Sequence, residues 1–281
     1  MSIAKPPLPV QKSNDLFKLY KQHGTIFGEI LYQLYNDIKN GILVTGLNTE
    51  SKFMTRCYKA FGQDVVFSFV NQKNYLDEQF GHAICVSTND EVAHARPQEK
   101  YFKPGDIVSI DCGLGIPYKG HYFHLDSAFS LEIDCGSNDH WTQAPWKALR
   151  YIKFTNPRNT LELAKGITHV ANTELLDVLT ALTGHGIGAL LHEPPVIYNA
   201  PDAFSPIRLF DNLCFCAEPI FLEPQVSHDV MNKFKKNDIY IKADNWTVAT
   251  ESGRASSHFE TTFGVEDGQI IDLVGVSSWE L

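Results

Sequence analysis

Residues 105–131, GDIVSIDCGLGIPYKGHYFHLDSAFSL, constrain the fold of this chain more than any other stretch. Residues 106–112 and 122–131 are apolar, β-branched and alternating, which is the pattern of two strands. Gly113, Gly115, Pro117 and Gly120 predict the connection between them. Each strand carries an aspartate where a core-facing sheet would place an apolar residue: Asp111 at the end of the first, Asp126 inside the second. A buried carboxylate is costly unless it is paired, hydrogen-bonded or bound to a metal. Two of them on neighbouring strands repel, and a cation between them is the simplest resolution.

The rest of the chain supplies helices and short strands around this pair. Helical spacing of apolar residues predicts a helix over 15–40, capped by Ser13 or Asn14 and closed by Gly41, and a second over 49–61 that stops at Gly62. Residues 83–87 and 91–95, the latter with His94, read as strands or loop edges. A weak helical signal follows over 141–154, and Thr160 is the expected cap of a helix running to about 170. Residues 175–182 are apolar, and 183–195 are rich in Gly, His and Pro. Residues 213–221 read as a strand with Glu218-Pro219 inside it, 221–237 as a polar, irregular segment, and 239–241, 246–250, 257–265 (with Glu260) and 269–274 as closing strands. Helices precede strands in each half, so the expected class is α/β or α+β with a pseudo-duplicated core. No linker divides it, and the expected layout is a loose tail over 1–14 and one domain over 15–281.

Charge and cysteine usage narrow the function. The net charge of −9 argues against broad binding of nucleic acid or anionic membrane. No apolar run approaches the ~20 residues of a membrane span, and the N-terminus lacks the apolar centre of a signal peptide. The six cysteines include no C-x-x-C pair, so reduced thiols in a cytoplasmic protein are expected.

Four carboxylates sit in strand-like apolar surroundings: Asp111, Asp126, Glu218 and Glu260. His94, His185 and His192 lie near turns. Taken singly, each has an ordinary structural reading: a strand aspartate is often an edge charge, a lone histidine is more often a core or surface hydrogen-bonder than a ligand, and Glu218 before a proline can simply end a strand. Together, four acids and an imidazole make a mostly hard-oxygen ligand set that suits one or two Mn, Fe, Co or Zn ions better than a structural zinc, which favours sulfur. Two such ions can activate a hydroxide for hydrolysis. Gly184, Gly186 and Gly188 do not make a phosphate loop, because no Walker lysine accompanies them.

The segments ICVSTNDEVAH, GDIVSIDCG, HLDSA, GHGIG with HEPP, FCAEPIF and DNWTVAT followed by HFETTF resemble methionine aminopeptidases of the pita-bread metallopeptidase family. The short Glu218-to-Glu260 step and the absence of a Cys/His zinc-finger extension match the short type. The resemblance implies a pseudo-two-fold pita-bread fold with helices outside and two divalent ions. Asp111 would chelate one ion, Asp126 and Glu260 would bridge both, and His185 and Glu218 would complete one side. The ions would activate a hydroxide to release N-terminal methionine, with Glu218 moving the proton. His94 and His192 would contact the scissile peptide, and Phe80, Cys85, Leu191 and Trp246 would shape the methionine pocket. Substrates would be N-terminal peptides, including nascent chains at the ribosome, acted on by a monomer. The chain departs from the family pattern at Ala95-Arg96, at Leu125 where a glycine is usual and at Leu191 where a phenylalanine is usual; Leu125 and Leu191 are expected to press on the pocket. Two other readings use the same scaffold: an Xaa-Pro peptidase, or a non-catalytic binding module.

Overall fold

The computed structural model describes residues 8–134, 140–201, 205–224 and 239–281. Two helices open each half. In the first half they are α1 (Asn14–Lys39) and α2 (Gly46–Phe61), followed by β1 (Val66–Phe67), β2 (Ile84–Thr88), β3 (Glu91–Ala93), β4 (Ile107–Tyr118) and β5 (His121–Glu132). In the second they are α3 (Ala144–Thr155) and α4 (Thr160–Thr173), followed by β6 (Asp177–Val178), β7 (Gly184–Gly186), β8 (Glu193–Ile197), β9 (Cys214–Ala217) and β10 (Ile220–Leu222). The closing strands are β11 (Ile239–Ile241), β12 (Val248–Thr250), β13 (Ser256–His258), β14 (Thr261–Glu266) and β15 (Gln269–Asp272).

Helix boundaries follow local chemistry. The Ser13 side chain accepts from the Leu16 amide and starts α1. Thr45 caps α2 in the same way, so that helix begins three residues before its expected start. Asn159, not Thr160, caps α4. The apolar face of α1, including Tyr20, Phe27, Leu31 and Leu34, is buried, and α1 packs on β5.

The long hairpin differs from its expected form. Gly113, Gly115 and Pro117 lie inside β4, which continues to Tyr118, and the turn is Lys119-Gly120, both with positive φ. That is a two-residue hairpin whose backbone twist suits the flanking strands. Gly113 and Gly115 belong in the strand because side chains there would run into Ser68 and Val66 on the β1 segment. The strand expected over 213–221 is broken at Glu218-Pro219, and that over 257–265 at Phe259-Glu260. The irregular segment expected after Phe221 lies outside the described residues from 225 onward, as do 1–7 of the expected loose tail. Lys12, within that tail, is buried.

Among the described residues all strand pairings are antiparallel, and their registers align. Asp111 stands opposite Cys85 on β2 and Ala128 on β5, and Ala128 pairs with Glu260 through an isolated bridge. Glu218 falls opposite Glu260, between the Ala217–Thr261 and Ile220–His258 pairs. One row across these adjoining sheets therefore reads Glu218, Glu260, Ala128, Asp111, Cys85. The next reads His185, Cys216, Thr262, Asp126, Gly113, with Thr262 and Asp126 joined by hydrogen bonds of 3.0 and 2.8 Å. The rows are two residues apart on every strand, so both face the same side. Among the described residues, no helix is long and apolar enough to cross a membrane.

Candidate metal centre

The two rows bring together donors that lie far apart in sequence. One oxygen each from Asp111, Asp126 and Glu260 lies within 4.8 Å of the others. His185, Cys216 and Glu260 form a second such group, so Glu260 belongs to both. His185 Nε2 stands 3.8 Å from Asp126 Oδ2 and 3.9 Å from Glu260 Oε1. Asp126 and Glu260 are each only 3% exposed, and among the described residues no lysine or arginine is paired with any of these acids.

Electrostatics make the cluster untenable as an anionic group on its own. Burial raises the Asp111 carboxyl to about 7, against opposing hydrogen bonds from the Cys85 thiol and the Cys112 amide. Asp126 is pushed well up by burial and then by Glu260 and Asp111. Burial followed by Asp111 and Asp126 raises Glu218, and burial followed by Glu218 and Asp111 raises Glu260. His185 is pushed down to about 3, first by burial and then by His192, so its ring is neutral. Its Nδ1 faces the Gly186 carbonyl at 3.0 Å and must donate there. Nε2 therefore turns a lone pair toward two carboxylates. Asp111 Oδ1 and Glu260 Oε1 are buried and have no hydrogen-bond partner. Lone pairs converging on lone pairs need a metal ion or a proton between them, and a carbonyl accepting from Nδ1 is a usual way a metal-binding histidine is oriented. The residues fit divalent metal.

Metallopeptidase family M24 matches residues 18–267. The chain belongs to this family. A methionine aminopeptidase of Borreliella burgdorferi is 31% identical over 195 residues, covering 67% of this chain and 71% of that protein. One from Mycoplasma capricolum is 30% identical over 240 residues, covering 80% of this chain and 88% of that protein. The crystal structure of a Thermotoga maritima methionine aminopeptidase superposes with a TM-score of 0.78 over 95% of this chain and 99% of that one, at 24% identity. The M24 scaffold is the pita-bread fold expected from the motifs, and membership means divalent metal and peptide substrates.

Around the M24 centre, the other expected residues fall in three places. Glu218 is beside the cluster by strand register, but it is absent from both close donor groups; its Oε2 lies 3.8 Å from His258 Nε2. His94 and His192 are exposed, and the His192 ring sits 4.4 Å from that of His185. Phe80 and Trp246 form one wall, with ring centroids 5.1 Å apart, and Cys85 stands next to Asp111. Leu191 is buried, and its backbone hydrogen-bonds to the His185 ring. Leu125 does not press on the pocket: strand alternation turns it away from the face that carries Asp126, opposite Leu114 and fully buried.

Several participants escaped sequence reasoning. Cys216 reads as one more apolar residue in an apolar strand. His258, buried with Nε2 unpartnered, looks like a core histidine two places before a glutamate. Arg96 lies over both Phe80 and Trp246, 5.8 and 5.6 Å from the ring centroids, and donates to the Phe80 and Gln79 carbonyls. Lys12 forms a 2.8 Å ion pair with Glu193, whose other oxygen accepts from the Leu190 amide. That pair holds the loop carrying His192 to the start of the chain. Only the sheet register, not local sequence, places Cys216 and His258.

Proposed function

We propose that this M24 chain is a metal-dependent aminopeptidase that removes N-terminal methionine from peptides and newly made proteins. The observation that carries it is the pair of donor groups sharing Glu260, with unpartnered lone pairs aimed inward, in a chain whose curated relatives are methionine aminopeptidases. Asp111, Asp126, His185, Glu218 and Glu260 would hold two ions of the Mn, Fe, Co or Zn class, with Asp126 and Glu260 reaching both. When bound, the metal supplies Lewis-acid charge and a water that ionises near neutral pH.

The chain's own residues do the rest. His94 and His192, exposed beside the centre, donate hydrogen bonds to the carbonyl oxygen of the scissile peptide as it gains negative charge. Glu218, held at the edge of the cluster by Asn199 hydrogen-bonding to its backbone carbonyl, carries a proton to the leaving amine. The Phe80 and Trp246 wall, with Cys85 and Leu191, receives the methionine side chain, for which aromatic faces and soft sulfur are good partners. One catalytic domain over 15–281, acting as a monomer in the cytoplasm on nascent chains, completes the reading.

Metal-reconstituted protein should release methionine from Met-Gly and Met-Ala peptides and leave Ala-Pro uncut. Asp111→Asn should abolish release. Cleavage of Ala-Pro in preference would move the assignment to an Xaa-Pro peptidase. No release with Mn, Fe, Co or Zn, together with less than about one ion per chain, would leave only a binding module.

A further inference from the structure

The sharing of Glu260 between two donor groups is chemically lopsided. Asp111, Asp126 and Glu260 offer oxygen alone, whereas His185, Cys216 and Glu260 offer nitrogen, sulfur and oxygen. We propose that Cys216 is a metal ligand of this centre, so that one half is a soft N/S/O site suited to zinc while the other is an oxygen site suited to a harder ion such as Mn2+. This rests on the reading of His185 and Glu260 as metal ligands and adds a donor to it.

Geometry carries the argument. Cys216 lies directly opposite His185 on the neighbouring strand, and opposed residues of antiparallel strands put their side chains on one face with Cβ atoms about 4.5–5.5 Å apart. The thiol is fully buried, and so cannot be oriented by solvent. Gly184, the residue before His185, has no room for a side chain, because a Cβ there would run into the Cys216 carbonyl; the two strands are thus pressed together at this point. Two ligands of one tetrahedral zinc, at ~2.0–2.3 Å from the ion, stand ~3.3–3.8 Å from each other. The 3.9 Å between His185 Nε2 and Glu260 Oε1 is close to that spacing. Glu260 Oε1 is itself buried without a partner, which marks the third corner of the site as unsatisfied.

The Thr262 hydroxyl donates to the Asp126 carbonyl and accepts from the Asp126 amide, so the Cys216 thiol, 3.6 Å away, is the donor in its contact with Thr262. Binding of a divalent ion would replace that S–H with an S–metal bond and release one proton to solvent; no electrons are transferred. Soft thiolate donors select zinc over manganese, and the oxygen-only group has the reverse bias.

The test is zinc K-edge X-ray absorption on metal-stripped full-length protein given one equivalent of Zn2+. The expected first coordination shell contains a sulfur at ~2.3 Å besides N/O scatterers at ~2.0–2.1 Å. Cys216→Ser should lose the sulfur, whereas Cys85→Ser, which removes the other thiol beside the carboxylates, should keep it. A shell of nitrogen and oxygen only in the unmodified protein overturns the proposal but leaves the metallopeptidase reading intact. Sulfur that survives in Cys216→Ser, or is lost in Cys85→Ser instead, also overturns it. Failure to bind zinc at all overturns both. The unmodified protein decides the outcome even if Cys216→Ser does not fold.

Discussion

The oxygen-only group and the mixed group grow from two sheets joined by the Ala128–Glu260 bridge and share Glu260, yet they differ in how they are supported. The oxygen group rests mainly on one of them: Asp111 and Asp126 lie on two twelve-residue strands paired along their whole length. The mixed group rests on short strands, with His185 on a three-residue strand whose pairing to β8 slips just after it. What steadies that side comes from elsewhere, from the Lys12–Glu193 ion pair and the Thr262 hydroxyl that contacts Cys216. The centre thus joins a rigid platform to a side held by distant clamps, and the two sides should fail in different ways.

The largest expected effect comes from removing a carboxylate that the proposed function has reaching both ions. Asp126→Asn should lower turnover by ~10³-fold or more, as expected when several kcal/mol of metal-derived stabilisation is lost, and should reduce bound metal measured by plasma mass spectrometry. Loss of one ion with the other retained at full occupancy would show that Asp126 serves one group only. Lys12→Met should separate the sides. It leaves Glu193 buried and unpaired, which costs about 3–5 kcal/mol in urea unfolding. Its kcat should fall through misplacement of His192, while Mn2+ affinity by calorimetry stays near that of the parent. Equal weakening of manganese and zinc binding would refute the division. Thr262→Val removes the hydroxyl shared by the Asp126 backbone and Cys216 and should cost about 1–3 kcal/mol of stability, since it orphans a buried amide and carbonyl. The smallest effect belongs to the pocket rim. Arg96→Met removes a cation stacked on Phe80 and Trp246 worth ~0.5–1 kcal/mol, and should raise KM for methionyl peptides a few-fold with kcat unchanged. A fall in kcat instead would place Arg96 nearer the reacting bond.

The same contrast decides what could be read from sequence. Asp111 and Asp126 stood out because a charge in an alternating apolar strand breaks the pattern that long strands impose. Glu218 and Glu260 stood out for the same reason, although both occupy breaks between short strands and not strand interiors. Cys216 did not, because a buried thiol and a small hydrophobe look alike until a histidine is placed opposite. Gly113, Gly115 and Pro117 read as a turn because their composition is that of turns, but close approach of the β1 segment explains the glycines equally well. Lys12 was hidden by its Pro- and Lys-rich neighbours; its burial depends on Glu193, 181 residues away. Leu125 shows the opposite error: its nearness to Asp126 in sequence suggested nearness in space, and strand alternation reverses that. Local pattern revealed the helices, the hairpin and the acids, while everything that depended on which strand lies beside which required the fold.

Every ligand faces inward only because β4, β5, β7, β9 and β14 meet in one set of pairings, and a slip of one residue at any joint would turn that strand's donor to the opposite face. A chain that captures its ions has therefore already assembled five strands correctly, and a misassembled one has nowhere to keep them. The centre acts as a proof-reader of its own folding, so metal retention in a refolding experiment would count correctly threaded molecules.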